Sequence, residues 1–89
     1  MTEQLNTTSA NDESLVFSPA GEFYVQVSAS LATTVFDIMA RVDANADWLV
    51  IDTLSTATDT IGRYAALPFM KIAVRSNVAG NAAKAWTNT

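Results

Sequence analysis

The sequence predicts an all-β domain, a small antiparallel β-sandwich or partly open barrel with a flexible N-terminal arm. Three observations carry this expectation. Period-two patterning runs through residues 23–27, 49–53 and 70–74, as in half-buried strands. Turn-forming residues separate those runs, at Ser18-Pro19-Ala20-Gly21, at Asp43-Ala44-Asn45-Ala46-Asp47 and at Gly80-Asn81. The strands recur at the short spacing typical of sandwiches and barrels.

Taken in order, residues 1–13 are rich in Thr, Asn, Ser, Glu and Asp, and Leu5 is the only sizeable apolar residue after the start. Such a segment buries too little to order itself. It reads as a flexible polar arm, either a free end or an arm that orders on a partner. A single β domain then covers residues 14–89. Leu15, Val16 and Phe17 begin it as a short first strand. The following turn has Ser at its first position, Pro presetting φ at the second and Gly at the fourth, which fits type I. Residues 22–28 make a strand with Phe23, Val25 and Val27 on one face and Tyr24, Gln26 and Ser28 on the other.

Residues 31–42 fit two periods. At period two, Phe36, Ile38, Ala40 and Val42 share a face; at period 3.6, Leu31, Val35, Ile38 and Val42 do, with Ser30 as N-cap. Thr33-Thr34-Val35 disfavours a helix start because β-branched side chains lose χ1 freedom there, and the neighbouring strands favour β. The Asp/Asn-rich loop leads into a strand over residues 48–54, with Trp48, Val50, Asp52 and Leu54 on one face and Leu49, Ile51 and Thr53 on the other. Residues 55–60 are loop or a weak exposed edge strand, and Gly62 marks a bulge or bend. Leu67 is extended before Pro68. Residues 69–76 form a strand with Met70, Ile72 and Val74 inward and Lys71, Ala73 and Arg75 outward. Residues 82–87, with Trp86, form the last. Trp48, Ile51, Ile72 and Val74 are expected at or near the core.

An 89-residue chain buries roughly 60% of its unfolded surface, enough for one modest core. It holds no His and no Cys. Disulfides, zinc and haem ligation, and His-dependent nucleophilic triads are therefore excluded within the chain. Its net charge of −4 repels phosphate backbones, which argues against a nucleic-acid partner. No apolar run reaches the ~20 residues of a membrane span, and the acidic, polar start is unlike a signal peptide. Only 16% of residues are charged, against ~25% ordinarily, which suits a surface partly covered by a partner.

Each candidate for chemistry has a plain structural counterpart. Asp43-x-Asn45-x-Asp47 opens like a calcium loop, but Trp48 and Leu54 stand where an EF-hand needs Gly and Glu. A looser calcium site and an Asx-rich hairpin turn both remain, and the turn is favoured. Asp37 and Asp52 could meet across the hairpin as paired carboxylates, with Arg41 beside Asp37; a solvated strand face explains both without catalysis and is favoured. Tyr24, Tyr64, Trp48 and Trp86 are an aromatic platform for sugars, or core filling. Lys71, Arg75 and Arg63 are a small basic strip, either solubilising or part of a protein interface.

The order of features from Ser18 to Trp86 carries a resemblance. A Pro-x-Gly turn opens Ser18-Pro19-Ala20-Gly21-Glu22-Phe23. A strand ends in Ala40-Arg41-Val42, and a loop enters Trp48-Leu49-Val50-Ile51-Asp52. Leu67-Pro68-Phe69-Met70-Lys71-Ile72-Ala73-Val74-Arg75 follows, then Gly80 before Ala85-Trp86. This resembles small β-sandwich virion proteins of tailed bacteriophages, among them capsid decoration (cement) proteins. The resemblance implies a non-enzymatic structural role on a phage particle. The chain would be made in the host cytoplasm and located in the virion. Its partner would be the major capsid protein or another virion protein, and it would form a homo-oligomer, a trimer by analogy. No catalytic, cofactor-binding or metal residue is assigned. Leu5, Phe17, Lys71 and Arg75 are assigned to the partner contact, with no nucleic acid, membrane or cofactor. The alternative is a carbohydrate-binding module or a tail or fibre component in host recognition. A minor enzyme using carboxylates is the third reading.

Overall fold

The computed structural model describes all residues, 1–89, and contains strands without helices: β1 (Thr2–Thr7), β2 (Asp12–Glu13), β3 (Phe23–Ala29), β4 (Val35–Arg41), β5 (Leu49–Ser55), β6 (Ile61–Tyr64), β7 (Phe69–Arg75) and β8 (Ala83–Thr87). They form two four-stranded sheets, ordered β1-β8-β3-β6 and β2-β7-β4-β5. Every strand pairing is antiparallel. The two inner faces meet on one core, and the edges stay open rather than closing a barrel. The chain is a small β-sandwich.

The alternating runs supply that core. Phe23, Val25 and Val27 come from β3, Phe36, Ile38 and Ala40 from β4, and Met70, Ile72 and Val74 from β7. Phe36 lies opposite Val74, Ile38 opposite Ile72 and Ala40 opposite Met70. These cross-strand pairs resolve the helix–strand ambiguity of residues 31–42 as strand β4. A helix there would bury one apolar stripe, whereas β4, central in its sheet, buries Phe36, Ile38 and Ala40 together.

The flexible arm expected at residues 1–13 is not an arm. β1 pairs with β8 and β2 with β7, and Leu5 is 6% exposed within the core. An edge strand needs inward side chains only at alternate positions, and Leu5 and Thr7 suffice here. Between β1 and β2 the chain crosses from one sheet to the other, pinned by Asn77. The Asn77 Nδ2 donates to Ser9 O (3.0 Å) and Asn81 O (2.8 Å), and its Oδ1 accepts from Thr34 Oγ1 (2.9 Å). Gly80 N donates to Thr8 O at 2.8 Å. Backbone and amide bonding thus order a segment whose composition offers little burial.

Leu15, Val16 and Phe17 make no strand of their own. Phe17 forms a single bridge with Met70, and Leu15 and Val16 are exposed.

Candidate functional site

Charges on the outer face of the β2-β7-β4-β5 sheet pair with one another. Arg75 Nε lies 2.8 Å from Asp37 Oδ2, and Thr53 Oγ1 donates to Asp37 Oδ1 at 3.2 Å. Lys71 Nζ lies 3.0 Å from Glu13. Trp48 carries two cations, with the Arg41 guanidinium 4.4 Å and the Lys71 ammonium 4.6 Å from its ring centroid. Trp48 is therefore half-buried under charged side chains rather than in the core. Arg41 is the exception to the pairing. It reaches Ala46 O at 3.4 Å, has no carboxylate partner, and its buried Nε has no hydrogen bond.

β5 bounds this sheet as an edge. Asp52 lies opposite Ile38 but Val50 opposite Met39, so Ile51 is an extra residue, a β-bulge. Bulges bend the strand and re-aim side chains. The expected alternation breaks there: Asp52 and Leu54 lie opposite the inward Ile38 and Phe36, whereas Val50 lies opposite the outward Met39. Only Leu54 of this strand is buried, and Leu49, Val50 and Ile51 are 66%, 52% and 45% exposed. The expectation that Ile51 lies at the core fails for this reason, while Ile72 and Val74 are buried as expected. Beside the strand is a hollow of about 170 Å³ lined in part by Ala40, Arg41, Val42, Leu49, Ile51 and Leu67.

The outer face of the β1-β8-β3-β6 sheet is different. Its register puts Gln26 between Trp86 on β8 and Ile61 on β6. One step along β3, Tyr24 N donates to Asn88 Oδ1 at 2.8 Å. Together with Met1 and Thr87 these residues line an open cleft of about 350 Å³. Beneath its β6 edge, Tyr64 OH donates to Asp52 Oδ2 at 2.7 Å. Burial first, then that bond and the charges of Asp52 and Asp59, push the Tyr64 phenol well above its usual range. Gly62 makes room for this ring, because a Cβ there would collide with the Tyr64 phenol.

The residues expected to contact a partner do not form one surface. Leu5 is core, so it cannot anchor a contact. Phe17 is half-buried edge-on against Phe23, with centroids 5.8 Å apart. Lys71 and Arg75 share the outer face of β7, each already paired. Asp37 and Asp52 do not meet, since one pairs outward with Arg75 and the other accepts from Tyr64. The Asp43 loop is an Asx turn, with Asn45 N donating to Asp43 Oδ1 at 2.8 Å. No group of three or more acidic side chains converges as a metal site. Of the four aromatics, only Tyr24 and Trp86 share a surface. Gln26, Ile61 and Asn88 were missed because they complete the cleft only through the β3, β6 and β8 register.

No family model matches the chain, and no curated protein or solved structure shows significant similarity to it.

Proposed function

We propose that this chain is a non-enzymatic structural protein of a bacteriophage particle, a capsid decoration or cement protein that self-associates and binds the head shell. The observation that carries the assembly reading is β5, a seven-residue edge strand with Leu49, Val50 and Ile51 bare to solvent. The other edges are better guarded. β2 has two residues, β6 has four, and β1 is polar and bulged, features that discourage strand pairing. β5 has a bulge but no lysine, and no charge before Asp52. Contiguous apolar surface of this kind marks partner contacts. The hollow alongside offers a seat for an apolar side chain, and Arg41 offers an unpaired cation to a partner carboxylate.

The phage assignment rests on the resemblance in the order of turns and aromatic strands from Ser18 to Trp86, for which an all-β fold is the implied architecture. Mass measurement of the purified chain and of purified particles tests the proposal. The expected result is a homo-oligomer in solution, a trimer by the same resemblance, and the chain present in particles at a fixed ratio to the major capsid protein. Val50→Lys should give a folded monomer that no longer attaches. A wild-type monomer that is absent from particles would overturn the reading.

A further inference from the structure

The open cleft on the outer face of the β1-β8-β3-β6 sheet lies on the opposite sheet from β5, and assembly through β5 gives it no role. We propose that this cleft, between Tyr24 and Trp86, binds a neutral saccharide. Its volume of about 350 Å³ lies within the roughly 300–1,000 Å³ of small-ligand sites. Two aromatic rings stand on neighbouring strands, Tyr24 on β3 and Trp86 on β8, the latter directly opposite Gln26. A pyranose ring has an apolar C–H face that stacks on such rings and an equatorial belt of hydroxyls that needs donors and acceptors.

The cleft supplies that second requirement from uncharged groups. The bond from Tyr24 N holds Asn88 by its Oδ1 and leaves Nδ2 without a partner inside the chain. The Gln26 carboxamide and the Trp86 indole N–H likewise make no bond within the chain. No charged side chain lines the cleft. The nearest cation on β6, Arg63, faces Glu22 at 3.7 Å. A purely apolar partner would leave the amides and the indole N–H unpaired, and no lining side chain offers a cation to an anionic ligand; the unpaired Lys84, one step along β8 from Trp86, does not line the cleft. A neutral polyhydroxylated ring satisfies both the aromatic faces and the amides.

The test is an array of neutral oligosaccharides (glucose, galactose, mannose and N-acetylglucosamine oligomers) beside uronic-acid oligomers. Fluorescence titration with the strongest neutral binder follows. The full chain should bind a neutral oligomer and quench Trp86 emission, and Trp48→Phe should retain the quench. Trp86→Ala and Tyr24→Ala should each weaken binding about tenfold or more, while Trp86→Phe, which keeps a ring and the fold, should weaken it less. Val50→Lys should bind as wild type, which separates this site from assembly through β5. Binding only to uronic-acid oligomers, no binding to any neutral oligomer, or binding unchanged in a folded Trp86→Ala variant would each overturn the proposal. So would loss of self-association in Trp86→Ala without any glycan binding, since the cleft would then be a subunit contact.

Discussion

The outer faces of the two sheets solve the same surface problem in opposite ways. On the β2-β7-β4-β5 sheet, Asp37 meets Arg75, Glu13 meets Lys71, and Trp48 is roofed by two cations. Neighbouring strands there place opposite charges within reach, so the side chains close the face by pairing among themselves. On the β1-β8-β3-β6 sheet, Tyr24, Gln26, Trp86 and Ile61 stand side by side. None of these can neutralise another, so the aromatic and amide groups stay available. A surface is open for binding where its side chains lack mutual partners, and proximity alone does not make a site. Asp37 and Lys71 are close to many groups and free for none.

The sharpest way to break the comparison is through what both faces rest on. Ile72 is fully buried opposite Ile38, and Ile72→Ala should cost about 2–5 kcal/mol in chemical denaturation. A loss under about 0.5 kcal/mol, the range of ordinary surface changes, would mean that the faces do not share this core. Gly62→Ala comes next, at about 1–3 kcal/mol, because the added methyl displaces the Tyr64 ring. An unchanged midpoint for this variant would show that the β6 edge is loose, and the wall of the open cleft with it.

The paired face predicts smaller effects. Asp37→Ala should cost about 1 kcal/mol, because it strips both Arg75 and Thr53 of an acceptor. The coupling to Arg75 in a double-mutant cycle should be only about 0.5 kcal/mol, since that guanidinium is half exposed and screened. A zero coupling would make this face merely charged rather than closed by pairing. Tyr64→Phe is the mildest, at about 0.5–1 kcal/mol near neutral pH. Its signature is alkaline. The folded phenol holds its proton above the ordinary value of 10.0, so its contribution is complete below that pH and is lost as pH rises beyond it. Wild-type stability should fall above about pH 10, and Tyr64→Phe should lack that part of the fall in urea titrations at stepped pH.

What the sequence made legible was whatever repeats at period two. β3, β4 and β7 carry their inward residues at every second position, and these are the buried ones. β5 broke the rule because a single inserted residue at Ile51 shifts the faces, and one chain written out linearly does not show which strand will lack a partner there. β1 was hidden for a different reason. Its ordering comes from backbone pairing to β8 and from Asn77, and neither leaves a mark in local hydrophobicity. The candidate sites were half visible: Tyr24 and Trp86 are conspicuous as residue types, but their adjacency exists only in the β3–β8 register. Leu5 and Lys71 have the chemistry of partner residues, but the fold places Leu5 in the core and pairs Lys71 with Glu13.

The pairing of β1 with β8 joins the two ends of the described chain. Thr2 Oγ1 donates to Thr89 O across 87 positions of chain, and the neighbouring sheet likewise ties β2 to β7. Contacts so remote in sequence close late, after the intervening loop entropy has been overcome, and chains dominated by them fold in milliseconds to seconds rather than microseconds. On a ribosome, the first strand must wait for the last to be made. Throughout that wait β1 presents Thr2, Glu3, Gln4, Asn6 and Thr7 to water, with one leucine among them. The polarity that disguises it as an arm keeps an unpaired strand from aggregating until its partner arrives.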